Sequence, residues 1–363
     1  MKLNAVEEAI AAIAAGELVV VVDDDDREDE ADLIMAAGRA TPERIAFMIR
    51  HTSGILCAPL PVEEARRLRL DPMVANNDAP LGTAFTVSVD SRYGLTTGIS
   101  AEERCNTVRA LADGNMGASD FVRPGHVFPL IARDGGVLMR SGHTEAAVDL
   151  ARLAGLPPAG VLAELVNDDG TVKKGPEIAE FAAEHGLKTI AVADLIAYRQ
   201  RRERLVQRVG EFPIETEIGA ARGFVYATPF DPVQHLALVY GAMGDGEQVP
   251  TRLHRESVLD DVFGGRTLLG KVLERFKEEG RGVLVYLREG GSGVPVAGYR
   301  PSAPEVGRNE AAREDLWREV GLGAQILGDL GISSIKLLAT RSRQYVGLAG
   351  FGITIAATEV LDT

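Results

Sequence analysis

Between Asp23 and Asp32 the chain reads DDDDREDEAD, eight carboxylates around one arginine. Like charges packed this closely raise one another's proton affinity and oppose a compact backbone unless a cation neutralises some of them. The stretch is either a solvated turn or a metal site, and without metal the repulsion predicts a mobile Asp24–Glu30 segment. Two metal templates fail. An EF-hand loop needs a central glycine that is missing here, and a DDxxD reading of Asp25 to Asp29 belongs on a helix, whereas VVVV comes before it.

Three further places combine suitable residue types. In GGVLMRSGHTEAAVDLARLAGL a strand-like run meets Arg140, Ser141, Gly142, His143 and Thr144 where an amphipathic helix begins. Free N–H groups at a helix start, a guanidinium and a hydroxyl suit a phosphate. His143 is then a metal ligand or an acid–base group, with a cap or packing role as the plain alternative. In GVLAELVNDDGT, Glu164 interrupts an apolar run, lying either on a solvated face or in a desolvated position suited to proton transfer. In RPGHVFPL, His126 follows a Pro-Gly turn and precedes a strand, where packing alone would explain it equally well.

These residues need elements to hold them. LVVVV, TAFTVSVD, HVFPLIA, GVLAELV and KTIAVA read as strands, TEAAVDLARLAGL and PEIAEFAAEHGL as helices, and Val6, Ile10 and Ile13 mark a first helix. This is an α/β or α+β pattern over Leu18 to Tyr198. AYRQRRERLVQRVGE reads as a charged helix leading into a linker. Beyond it GRGVLVYL and SSIKLLAT look like strands, and TLLGKVLERFKEEG and GAQILGDLG like helices, so a second α+β domain starts near residue 206, with domains at 1–205 and 206–363. Gly290 to Asp315 reads as a mobile loop.

A chain of 363 residues, 45% hydrophobic and 25% charged, can bury two cores, and its net charge of −14 opposes unspecific binding to nucleic acid or an anionic membrane. Two cysteines, Cys57 and Cys105, imply no disulfide framework and point to the cytoplasm. No apolar run approaches the ~20 residues of a membrane span. GxGxxG after a strand, a Walker loop and GxSxG are all missing.

Taken together, DDDDREDEADLIMAA, RHTSGILCAPL, TAFTVSVD, TTGIS, FVRPGHVFPL, GGVLMRSGHTEAAVDLARLAGLPPAGVLAELVNDDGT and HGLKTIAVADLIAYR resemble, in order, the signatures of the 3,4-dihydroxy-2-butanone 4-phosphate synthase family. The resemblance implies a three-layer α/β domain that takes D-ribulose 5-phosphate, with Mg²⁺ or alternatively Mn²⁺, to formate and the butanone phosphate, in a homodimer with shared sites. Carried over by motif, Glu28 and His143 correspond to metal ligands. Arg27, Asp32, Arg140, Ser141, Gly142, Thr144 and Glu164 correspond to substrate contacts, and Cys57 and Thr97 lie near the pocket. His126 and Glu164 correspond to catalytic positions, with Glu30 or Asp23 sharing the proton transfers. Asp29 stands where the family usually has asparagine, and Ala163 where a cysteine is common.

Residues from about 206 on resemble GTP cyclohydrolase II in DVFGG, GRGVLVYLRE, GLGAQILGDLG and GLAGFGI. That family binds zinc through three cysteines, and here Ser257 of HRES and Thr267 and Leu269 of RTLLG occupy their places. With no cysteine beyond Cys105, no zinc thiolate site is expected. REGGSG (Arg288 to Gly293), LWREVG (Leu316 to Gly321) and ATRSRQ (Ala339 to Gln344) also depart from the family's phrases. The resemblance therefore implies a second domain without cyclohydrolase activity, structural or regulatory in role.

Overall fold

The structure is a computed structural model and describes residues 4–23, 30–79, 82–204, 206–229, 233–257, 261–262, 268–288, 321–340 and 353–361. The chain divides into two compact units between Tyr198 and Arg199.

In the first unit, β1 (Val19–Val22) is the all-aliphatic run before the acidic stretch, and all of its side chains are buried. Each buried valine contributes about 1.5–3 kcal/mol of transfer free energy, which anchors a segment whose charges would otherwise pull it into water. β1 forms a hairpin with β2 (Ala31–Ala36), Val22 opposite Ala31, and pairs in parallel with β7 (Lys188–Ala191). With β3 (Cys57–Leu60), β4 (Val89–Ser91), β5 (Phe121–Ile131) and β6 (Gly160–Glu164), these make one sheet in the order β4-β5-β3-β6-β2-β1-β7.

Alternation along the strands sends the two sets of side chains to different layers. Val20, Val22, Leu33, Met35, Ala58, Leu60, Val127 and Val161 join a core with residues of α2 (Pro42–His51), α3 (Val62–Arg67), α4 (Ala101–Leu111) and α6 (Pro176–Glu184). On the opposite face α5 (His143–Leu153) packs on β2, β3 and β6, with α1 (Val6–Ala14) beside it. Gly160 permits this, because a methyl group at its α-carbon would lie 2.7 Å from Ala147 Cβ of α5. The result is a sheet between two helical layers, as expected for the first domain.

Of the run Thr83–Asp90, read as one strand, only the end belongs to β4; Phe85 and Thr86 make isolated bridges to Leu130 and Pro72. The β4–β5 register shifts between Val89 and Asp90, so the alternation there does not describe one continuous ladder.

The second unit has a separate sheet. β8 (Gln207–Thr216), β9 (Gly219–Ala227), β10 (Gln234–Tyr240), β11 (Val249–Arg255), β12 (Gly282–Leu287), β13 (Ser334–Ala339) and β14 (Thr354–Val360) run in the order β14-β13-β11-β12-β10-β9-β8. The first four in that order are mutually parallel, and the rest continue antiparallel. The helix Leu268–Glu279 inserts Val272 and Phe276 into a core with Ala221, Leu238, Leu284 and Leu338. The arginine-rich stretch, the C-terminal end of α7 (Val192–Arg202) and the start of β8, is neutralised internally. Arg199 pairs with Glu203 at 2.6 Å, and Arg204 and Arg208 pair with Asp329 at 3.0 and 2.7 Å. Among the described residues no helix is long and apolar enough to cross a membrane.

Candidate active site

The described ends of the acidic stretch meet in a narrow neck, where the Asp23 N–H donates to the Glu30 carbonyl at 3.2 Å. Arg27 and Glu28 lie outside the described residues, as do Asp24 to Asp29 of the segment expected to be mobile without metal.

Beyond the neck, Asp32 of β2 stands directly opposite Glu164 of β6. Directly opposed side chains on adjacent strands sit about 5 Å apart at Cβ, so these two carboxylates share one patch of the α5 face. His143, the first residue of α5, places Nδ1 3.6 Å from Asp32 Oδ2, and both side chains are buried. Two carboxylates and an imidazole offer mostly hard oxygen donors, a set that fits a divalent cation such as Mg²⁺ or Mn²⁺. Among the described residues alone no three such side chains form a complete metal centre; the expected ligand Glu28 falls outside them.

Glu164 is fixed from behind by a turn. Ser53 Oγ donates to Glu164 Oε2 at 2.7 Å, and the Ser53 N–H donates to the Glu164 carbonyl at 2.8 Å. Cys57 lies two residues beyond this turn's Ile55. Burial, then the charges of Glu164 and Asp32, push its thiol far above the ordinary value of 9.0, which makes it a neutral wall group and no nucleophile.

The residues expected to hold a phosphate lie at the start of α5. Gly142 is the N-cap and offers no side-chain cap, and it lies at the positive end of the helix beside the buried Ser141 and Thr144, with the Arg140–Glu145 pair against it. Arg140 Nη1 donates to Glu145 Oε2 at 2.9 Å. Burial raises the pKa of Glu145 above its usual range against the opposing charge of Arg140, and the Arg133 N–H donates to its other oxygen at 2.9 Å. Glu145 thereby orients the guanidinium from within the domain.

His126 is placed differently. Cys57 pairs with Phe128 on one side and Leu162 on the other, so His126, two residues before Phe128, and Glu164, two residues after Leu162, lie at one level on the two strands that flank β3. Two strand spacings separate their backbones by roughly 10 Å. Asp90 secures His126, taking its backbone N–H on Oδ1 at 2.9 Å and facing Nδ1 with Oδ2 at 2.8 Å. The Asp90 side chain is 5% exposed and the His126 ring 40%, so the ring's other edge is open. Thr97 lies exposed on the loop before α4.

The structure thus gathers Asp32, His143, Glu164 and Cys57, places Arg140 to Thr144 at the same helix start, and sets His126 across β3. Sequence reasoning missed Ser53, Asp90 and Glu145. An aspartate closing the β-rich TVSVD was a visible signal for Asp90, whereas nothing local marks Ser53.

Residues 7–198 match the family model described as 3,4-dihydroxy-2-butanone 4-phosphate synthase. The chain belongs to that family. Residues 207–360 match GTP cyclohydrolase II, so the chain joins a synthase domain to a cyclohydrolase II domain. It is similar to a riboflavin biosynthesis protein RibBA of Salinispora arenicola, 49% identical over 97% of this chain and 87% of the relative. Among solved structures it resembles RibBX of A. baumannii, described as a two domain 3,4-dihydroxy-2-butanone 4-phosphate synthase, with TM-score 0.82, 37% identity, and coverage of 99% of this chain and 100% of that one. The synthase domain also resembles a 3,4-dihydroxy-2-butanone 4-phosphate synthase in complex with two magnesium ions, with TM-score 0.53 and 46% identity, covering 55% of this chain and 97% of that one. Synthase activity in riboflavin biosynthesis follows from this membership.

In the cyclohydrolase-like unit, Ser257 stands at an expected cysteine position and its N–H donates to Asp261 Oδ2 at 3.0 Å. The Tyr286 hydroxyl donates to the same oxygen at 2.6 Å, and His254 Nε2 meets Asp261 Oδ1 at 2.8 Å with its ring stacked 5.4 Å from that of Tyr286. Burial opposes the charge on Asp261, but the bonds from Tyr286 and Ser257 and the charge of His254 hold its carboxyl below the usual range. Leu269 is the second residue of the helix Leu268–Glu279, while Thr267 and most of the altered phrases further along lie outside the described residues.

Proposed function

We propose that the first unit converts D-ribulose 5-phosphate to L-3,4-dihydroxy-2-butanone 4-phosphate and formate with Mg²⁺, and that the second unit does not open GTP. The observation that carries the first claim is the meeting of Asp32, Glu164 and His143 beside the uncapped start of α5. The cradle of Arg140, Ser141, Gly142 and Thr144 takes the phosphate, leaving the sugar hydroxyls at the two carboxylates, with Arg27 as a further contact. Glu28 and His143 would hold a divalent cation, which would supply Lewis-acid stabilisation of negative charge developing on the sugar oxygens. Mn²⁺ suits the imidazole-containing set as well.

The residues then move protons at defined atoms. Glu164, held by Ser53 so that one oxygen stays free, takes and returns protons on the sugar chain, with Glu30 or Asp23 at the neck sharing the transfers. Asp32 accepts from a hydroxyl. The C1 hydroxyl leaves as water, the skeleton migrates, and one water adds to C4 as its bond to the carbon chain breaks and it departs as formate, so the atoms of the sugar phosphate equal those of the two products. Cys57 closes the wall as a neutral group.

His126 serves in catalysis at the site of a partner copy. Its ~10 Å separation from Glu164 and its open ring edge support this, as do the exposed Ile55 and Ile99, 50% and 54% accessible, which give a second copy apolar surface. Mixing inactive His126→Ser and Glu164→Ala chains tests it: activity should reappear in mixed dimers, and its failure to do so removes the shared site.

The inactive second unit is supported by the lack of any cysteine beyond Cys105 and by Asp261 already engaging Ser257, His254 and Tyr286. The deciding assay supplies ribulose 5-phosphate with Mg²⁺ and, separately, GTP. Formate from the first alone is expected. Folded protein that yields none from ribulose 5-phosphate defeats the first claim, and formate from GTP with stoichiometric zinc defeats the second.

A further inference from the structure

Glu103 opens α4 and looks at first like an ordinary helix-start residue. It forms a reciprocal capping box with Ser100: the Glu103 N–H donates to Ser100 Oγ at 3.2 Å, and the Ser100 N–H and Oγ donate to Glu103 Oε2 at 3.3 and 2.8 Å. A capping box uses the glutamate for the N-cap residue and nothing more. Here the other oxygen, Oε1, also accepts from the Thr96 N–H at 2.6 Å, the Thr96 hydroxyl at 2.8 Å and the Gly98 N–H at 3.1 Å. Those three donors belong to the loop before the helix and add nothing to its cap.

The loop they fix lies against the His126–Asp90 pair. Gly98 is buried with φ +84, and a methyl group there would overlap the Asp90 carboxylate and the His126 ring nitrogen that faces it. The backbone of Gly98 is therefore the surface on which that pair rests, at a distance no other residue type permits. The neighbouring Arg104 adds a second link: its Nη1 donates to the Gly54 carbonyl at 3.0 Å, within the turn whose Ser53 holds Glu164. Consecutive side chains at one helix start thus reach both halves of the candidate machinery.

We propose that Glu103 is a positioning residue: its carboxylate suspends the Thr96–Ser100 loop so that Gly98 seats His126 against Asp90. This rests on the functional reading given to His126 above. Hydrogen bonds from Thr96, Ser100 and Gly98 hold the Glu103 carboxyl far below its usual range, so it remains an acceptor at any working pH.

The test reads the imidazole and the reaction separately. In protein carrying ¹⁵N-histidine, the Nδ1 proton of His126 bonded to Asp90 should give a downfield signal, assigned by its loss in His126→Gln. Glu103→Ala should abolish or broaden that signal and lower kcat for ribulose 5-phosphate about 10- to 100-fold, the size a misplaced catalytic group produces, while KM moves much less. Gly98→Ala, with Glu103 intact, should also lose the signal. A folded Glu103→Ala protein with the wild-type signal and wild-type kcat overturns the proposal. If Glu103→Ala does not fold, Glu103→Gln decides: weakening of the signal supports the role, and a wild-type signal overturns it. Wild-type protein that makes no formate from ribulose 5-phosphate would refute the functional reading, whereas the imidazole signal would still judge Glu103.

Discussion

Replacing Asp90 by asparagine should slow the reaction without unfolding the domain. Asp90 receives the His126 backbone N–H at 2.9 Å and faces Nδ1 at 2.8 Å. Asparagine can keep the first contact through its carbonyl oxygen, but it then presents an NH₂ group to Nδ1. The imidazole must turn Nδ1 into an acceptor and move its proton to the outer nitrogen, reversing what it offers a substrate. A hydrogen bond to a charged group contributes about 1.5–3 kcal/mol, and at about 1.4 kcal/mol per factor of ten its loss from the reacting geometry corresponds to roughly 10- to 100-fold. Since neither residue belongs to the phosphate cradle, the loss should fall on kcat, with KM within about threefold by the same reasoning on binding contacts. Steady-state formate release across ribulose 5-phosphate concentrations measures both, with circular dichroism as the folding control. A kcat within a factor of two of wild type, or a loss expressed entirely in KM, would refute the orienting role.

Glu28→Gln or His143→Ala should raise the Mg²⁺ concentration needed for half-maximal activity, with partial recovery at high Mg²⁺; an unchanged metal titration would count against the site's fit. Iodoacetamide should leave Cys57 unmodified in folded protein at pH 8, read by mass spectrometry. The same burial carries a pH signature: the folded thiol keeps its proton where the unfolded one, at 9.0, loses it, so this contribution to stability is full below pH 9.0 and declines as pH rises above it. Cys57→Ser should flatten that alkaline decline in denaturant titrations. Asp261→Ala deprives the Tyr286 hydroxyl, His254 and the Ser257 N–H of their common acceptor, and at about 1–3 kcal/mol per group left unsatisfied it should lower the stability of the second unit by at least about 3 kcal/mol while formate release from ribulose 5-phosphate persists.

The sequence exposed the parts of this site that sit on regular elements. VVVV ahead of the acids, the strand ending in Glu164 and the helix start at His143 follow from period and capping rules, and they fall where those rules put them. What stayed hidden depends on how strands align. The pairing of Asp32 with Glu164 joins residues far apart in the chain through the β2–β6 register, and nothing within either segment specifies that partner. Ser53 sits in a plain TSG turn and matters only because β6 ends beside it. The separation of His126 from Glu164 came from β3 lying between their strands, again a matter of strand order. Alternation also failed over Thr83–Asp90, where a shifted register replaces the regular ladder.

The position of Asp32 also governs how this domain can misfold. On β2 its neighbours Leu33 and Ala31 face the aliphatic layer with Val20 and Val22, so a slip of one residue against β1 or β6 would drive a carboxylate into that layer and turn Leu33 toward the site. A buried, unpaired carboxylate costs several kcal/mol, a large share of the ~5–15 kcal/mol that holds a domain folded. Misaligned hairpins are therefore rejected by the same side chain that is proposed to meet the substrate. A nascent chain that reaches a stable sheet has already set its carboxylates in order, and synthesis would yield few folded but mispaired, idle copies.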